Sequence, residues 1–111
     1  MDCLFCKIAK REILSKKVFE DDRIYAFEDI APKAPTHVLV IPKKHIARLS
    51  DAAAEDAALV GEAALRAASI ARGKGLAHYR LILNHGEQAG QSVLHLHFHL
   101  LGGRAFAWPP G

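Results

Sequence analysis

From Gln91 to Leu101 apolar and polar positions alternate, Leu94, Leu96, Phe98 and Leu100 interleaving with His95, His97 and His99. Read as one β-strand, the stretch puts its apolar side chains on a face fit for a core. The three imidazoles fall on the other face, each about 7 Å from the next. Tyr79 to Leu83 reads as a strand, and Asn84 to Ser92 as a polar, glycine-bearing loop leading into the histidine stretch. Val18-Phe19 and Arg23 to Phe27 predict two strands around the acidic turn Glu20-Asp21-Asp22. Pro32 and Pro35 punctuate a loop, after which His37 to Ile41 is a β-branched, apolar strand closed by Pro42. Leu4 to Lys10 is expected to make one or two helical turns. From about Ala54 to Arg72 the period lengthens: Leu59, Ala63, Arg66 or Ala67, and Ile70 recur at helical spacing, with Val60 and Leu65 widening the stripe. Ser50-Asp51 offers this helix a cap, and Gly73 and Gly75 stop it. His78, just beyond, reads as an exposed polar residue. Strands, one long helix and further strands predict an α+β fold: a mostly antiparallel sheet with one long helix and a short N-terminal helix.

The chain's 111 residues set a single domain, 1–111. Half of them are hydrophobic, enough for a core, although a domain this small buries a modest share of its surface and oligomerisation would help. A net charge of +3 suits an anionic small molecule. No dense Lys/Arg block with interleaved aromatics argues for nucleic acid, and no apolar run is long enough to span a membrane. Met1-Asp2-Cys3 does not open a signal peptide, and two cysteines make no disulfide framework, so a cytoplasmic protein is expected.

Three histidines in five positions change the picture, because a solvated strand face more often carries Thr, Lys or Glu. Imidazole serves proton transfer, nucleophilic attack or metal ligation near neutral pH. Two readings follow. One is a tri-histidine zinc site at His95, His97 and His99; the other is a metal-free histidine nucleophile with two helpers. Cys3 and Cys6 add a Cys-x-x-Cys pair, the common half of a tetrahedral zinc site, a redox pair, or two ordinary cysteines.

His95-Leu96-His97-Phe98-His99-Leu100-Leu101 fits His-x-His-x-His-x-x with apolar x, and so resembles the histidine triad (HIT) family. Phe27 to Pro32, Ala34 to His45 and the ending Trp108-Pro109-Pro110-Gly111, in that order, resemble its Hint branch, the purine nucleoside phosphoramidate hydrolases. The resemblance implies that His97 is the nucleophile, forming a nucleotidyl-histidine that water then hydrolyses. It implies that His99 and His37 contact phosphate oxygens or orient the nucleophile. Ser92 would bond the phosphate or the leaving nitrogen, Asn84 the phosphate or ribose, and Gly90-Gln91-Ser92 would present backbone N–H groups to the phosphate. Asp29 would accept the ribose hydroxyls, and Ile30, Phe27 and Ile8 would form the purine slot. Without the resemblance, Asn84 and Ser92 are turn formers and the apolar residues are core. It further implies a structural Zn²⁺ on Cys3, Cys6, His45 and His95, with no cofactor needed for catalysis. It also implies a homodimer whose tail brings Trp108 near the partner's site, with Leu4-Phe5 and Phe106 helping to line the sites or the interface. The alternatives are a nucleotide-binding adaptor with vestigial hydrolysis, a metal-dependent tri-histidine hydrolase, and a dinucleoside polyphosphate hydrolase, against which the Trp-Pro-Pro-Gly ending speaks.

Overall fold

The acidic turn forms where the sequence places it. Asp21 Oδ1 accepts the N–H groups of Arg23 (2.8 Å) and Ile24 (2.7 Å), folding β1 (Lys17–Glu20) back onto β2 (Ile24–Glu28). In this computed structural model, which describes residues 3–111, the hairpin continues into β3 (Thr36–Pro42). Met1 and Asp2, on which the expectation of no signal peptide rests, lie outside the described residues. With β4 (Tyr79–Leu83) and β5 (Phe98–Gly102) the strands make one sheet in the order β1-β2-β3-β5-β4, every pairing antiparallel. The fold is α+β, as the sequence predicts.

β3 is the central strand and both its faces are covered, so its run from His37 to Pro42 is buried throughout. Val38 and Val40 face α2 (Ala57–Gly73), and with Ile24, Ala26, Phe98 and Leu100 they form the core on that side. Ala63, Ala67 and Ala71 have no exposed surface, so the helix backbone lies close on the sheet. On the opposite face Leu39 and Ile41 join Tyr25 and Phe27 of β2 beneath Phe5 and Ile8 of α1 (Leu4–Ala9). Each fully buried Ile or Leu contributes about 1.5–3 kcal/mol by leaving water.

Three expectations need correction. The strand proposed over 91–101 pairs only from Phe98 onward. Before it the chain bends: His95 N–H bonds the Val93 carbonyl (2.9 Å), and Leu96 N–H bonds Ile46 (2.6 Å) rather than a sheet partner. Leu94 is consequently half exposed instead of in the core. The long helix begins at Ala57, because Asp51 and Asp56 each cap a short 3₁₀ turn first, through Arg48 N–H (3.1 Å) and Ala53 N–H (2.9 Å). Leu65 lies on the solvent side of α2, 73% exposed, and does not widen the core stripe. His78 is exposed, as expected.

Candidate active site

Antiparallel register sets Leu39 opposite His99 and His37 opposite Leu101, so His37 and His99 share the sheet face that carries α1. Their rings meet, with His37 Nε2 2.9 Å from His99 Nδ1. The backbone N–H of Lys33 donates to His37 Nδ1 (3.0 Å), which leaves the proton of neutral His37 on Nε2. That N–H donates to His99 Nδ1, and His99 therefore carries its own proton on Nε2. His99 Nε2 is the one buried side-chain nitrogen or oxygen without a hydrogen-bond partner among the described residues. A relay from Lys33 through two imidazoles thus ends in a donor awaiting an acceptor. Asp29 Oδ2 stands 3.5 Å from His37 Nε2, while Asp29 Oδ1 accepts Ala31 N–H (2.8 Å).

His97 is 3% exposed, its ring packed at 4.9 Å against those of both Phe5 and His99. Its Nδ1–H donates to the His95 carbonyl at 2.7 Å. Nε2 then holds the free lone pair. It has no hydrogen-bond partner among the described residues, yet it is not among the buried unpartnered atoms, so it keeps contact with solvent. Burial is the leading cause that holds these rings neutral. It pushes His99 down to about 4, helped by His97 and His37, and it lowers His97 and His37 although Asp29 opposes it. Neutral imidazole is the form that attacks phosphorus.

A cleft of about 850 Å³ opens over the relay, with Asp29, His37, His99, Asn84, Ser92 and Trp108 on its walls. The tail is held there by Arg80, which donates to the Ala107 carbonyl, and by Arg104, which donates to the Lys33 carbonyl (3.2 and 3.1 Å). Arg80 also lies over the rings of Phe106 and Trp108. Of the proposed purine slot, Phe27 and Ile8 are buried in the α1-side core and Ile30 is fully exposed. In the loop, Gly90 has φ +100, which favours glycine, and lies against the Asn84 side chain. The expected cradle is smaller than proposed. Gly90 and Gln91 N–H groups already bond Glu87 and Gly86 carbonyls, leaving that of Ser92 unpartnered among the described residues. The Gln91 side chain is a buried brace, accepting from Gly86 N–H (2.8 Å) and donating to Ala47 (2.6 Å) and Val93 (3.1 Å).

Cys3, Cys6, His45 and His95 converge on one point. His95 Nδ1 is 3.2 Å from Cys3 Sγ, 3.5 Å from Cys6 Sγ and 3.2 Å from His45 Nδ1; Cys6 Sγ is 3.5 Å from His45 Nδ1. On a tetrahedral zinc, with sulfur near 2.3 Å and nitrogen near 2.05 Å, nitrogen–nitrogen and nitrogen–sulfur ligand pairs are spaced about 3.3–3.6 Å apart, so these four pairs fit the metal. His95 Nε2–H donates to the Pro42 carbonyl (2.8 Å), which turns the Nδ1 lone pair inward, and burial pushes the ring down to about 4. Burial, then Cys3, pushes the Cys6 thiol up, so a metal must displace its proton. The tri-histidine metal reading fails on this geometry. His95 faces the cysteines, His97 a carbonyl and His99 a third imidazole. Asp29, His37 and His99 are also close enough to ligate, but a metal on His37 Nε2 would take the relay's proton while Nδ1 still accepts from Lys33. The Lys33 N–H and the Pro42 carbonyl escaped the sequence reading because their side chains carry no signal; Phe5 against His97 was foreseen only as a residue beside the site.

The HIT domain family model matches residues 10–106. The chain belongs to the HIT domain family. A HIT-like protein of Synechocystis is 50% identical across 99% of this chain and 97% of its own length, and one of Synechococcus elongatus is 53% identical with the same coverage. A crystal structure of a HIT family hydrolase from Legionella pneumophila superposes with a TM-score of 0.96 at 52% identity, covering 99% of this chain and all of that one. A histidine triad protein from Clostridium difficile gives 0.92 at 46%, over 96% and 95%. The family match takes in the relay, His97 and the Asn84–Ser92 loop, whereas Cys3 and Cys6 precede residue 10.

Proposed function

We propose that this HIT protein is a Hint-branch hydrolase that cleaves the P–N bond of purine nucleoside 5′-phosphoramidates, adenosine phosphoramidate and adenylate-lysine types included. The observation that carries the reading is His97, neutral, with Nδ1–H fixed on a carbonyl and Nε2 free. In the first half-reaction the Nε2 lone pair forms a bond to phosphorus and the P–N bond breaks. The departing nitrogen takes a proton drawn from water through the Ser92 hydroxyl. In the second half-reaction water attacks the nucleotidyl-His97, its extra proton returns to solvent, and His97 leaves as neutral imidazole with the nucleoside monophosphate. The unpartnered His99 Nε2–H supplies a donor for a phosphoryl oxygen, oriented in advance through His37 and Lys33. Asp29 takes the ribose hydroxyls, Asn84 and Ser92 the phosphate side, and Phe27, Ile8 and Ile30 the base.

Imidazoles and a hydroxyl supply every step, so turnover needs no cofactor. Cys3, Cys6, His45 and His95 hold a structural Zn²⁺, which when bound ties α1 to the histidine segment. The chain acts as a cytoplasmic homodimer in which Trp108, 82% exposed here, gains cover from the partner. Among the described residues no helix is long and apolar enough to cross a membrane. Steady-state release of AMP from adenosine 5′-phosphoramidate tests it. Efficient release by the purified protein is expected, and AMP binding without release from any phosphoramidate would replace the hydrolase with a nucleotide-binding adaptor.

A further inference from the structure

Lys33 is held from two sides. Its N–H donates to His37 Nδ1 (3.0 Å) and starts the relay, while its carbonyl is taken by Arg104. Arg104 Nε and Nη2, one edge of the guanidinium, donate to that oxygen at 3.2 and 3.1 Å, and no other donor reaches it among the described residues. A glycine makes this approach possible. β5 ends with Gly102 opposite Thr36, and Gly103 then turns the chain at φ +93, so close to Pro35 that an added Cβ would stand 2.8 Å from that of the proline. The turn passes over the loop before β3 and delivers Arg104 onto Lys33. Nη1 donates to the Ala105 carbonyl (3.0 Å), and the Phe106 ring centre lies 4.3 Å from the guanidinium carbon. Arg104 makes no ion pair among the described residues. Lys33 lines the cleft and Arg104 does not, so Arg104 reaches the site only through Lys33.

Two imidazoles that share one proton can point either way, both rings staying neutral. With the Lys33 N–H on His37 Nδ1, the shared proton sits on His37 Nε2, and His99 Nε2–H is left to donate. Were Lys33 to back away, His37 Nδ1 could take the proton instead. His37 Nε2 would then accept from His99 Nδ1–H, and His99 Nε2 would present a lone pair, which repels a phosphoryl oxygen. We propose that Arg104 is a positioning residue: by holding the Lys33 carbonyl it keeps the Lys33 N–H on His37 and so sets the direction of the relay. The use of the resulting donor rests on the hydrolase reading; the direction itself does not.

The test reads the tautomers without substrate, by NMR of nitrogen-labelled histidine at about pH 7.5, where the buried rings are neutral. In the wild type both His37 and His99 should carry the proton on Nε2. Arg104→Met keeps the aliphatic stem at an exposed position and removes the donors. It should move part of the population of both rings to Nδ1–H. Arg80→Met, which frees the same tail at Ala107 without touching Lys33, should leave both rings at Nε2. In turnover, Arg104→Met should lower kcat/KM for adenosine 5′-phosphoramidate about tenfold, the worth of one hydrogen bond to a charged donor. Unchanged tautomers in Arg104→Met, the same shift in Arg80→Met, or a shift without loss of turnover overturns the inference. Should the wild type release no AMP, the hydrolase reading fails, and the tautomers alone decide whether Arg104 directs the relay.

Discussion

The relay that ends in His99 ties the protein's stability to pH. His99 is held at about 4 in the folded chain against an ordinary value of 6.5. The folded state refuses a proton that the unfolded state accepts, so the contribution is present above about pH 6.5 and lost as the pH falls toward 4. At about pH 5 the unfolded imidazole is almost fully protonated while the folded one is about one-tenth protonated, which removes about 2 kcal/mol relative to pH 7.5. The perturbation is His99→Phe, which keeps a ring between β3 and β4 and takes away the titrating group. Urea unfolding of both proteins at the two pH values isolates the effect, since other buried histidines contribute to each. The wild type should lose about 2 kcal/mol more than the variant over this interval. Equal losses would refute the claim that burial keeps His99 neutral, and with it the tautomer chain from Lys33 to His99 Nε2.

The other predictions concern the core and the metal. Leu100 has no exposed surface in the α2-side core, so Leu100→Ala should cost about 2–5 kcal/mol in urea unfolding; a cost below about 1 kcal/mol would mean that the core can collapse around the cavity. Purified protein should carry about one zinc per chain by elemental analysis, and cobalt in its place should show sulfur-to-metal charge transfer. Cys3→Ser and His45→Asn should each reduce that occupancy, and full occupancy in both would assign the metal elsewhere.

Much of this molecule could be read from the chain, and the failures have local causes. Tyr79–Leu83 was bounded correctly because its apolar run is flanked by turn residues on both sides. Alternation from Leu94 to Leu100 told the sidedness of the histidines but not where pairing begins. The bend depends on Leu96 N–H finding Ile46, a contact between residues fifty apart in sequence. Ser50-Asp51 and Asp56 are all competent caps, and choosing among them needs the tertiary position of Arg48 and Ala53. Cys3, Cys6, His45 and His95 were legible as four residues of the right chemistry to hold a metal. Their convergence on one point depends on the end of β3 and the histidine segment being brought together by Pro42 and His95. The phosphate cradle was expected from the backbone N–H groups of Gly90-Gln91-Ser92, but a local turn in the loop already bonds that of Gln91 to the Gly86 carbonyl, and burial gives its side chain three partners within the protein.

Removing the nucleophile bears most directly on the central claim. His97→Asn, assayed for AMP release from adenosine 5′-phosphoramidate beside a calorimetric measurement of AMP affinity, should lose at least about a thousandfold in kcat while still binding AMP. A variant that binds AMP and turns over at the wild-type rate would contradict the nucleotidyl-histidine mechanism.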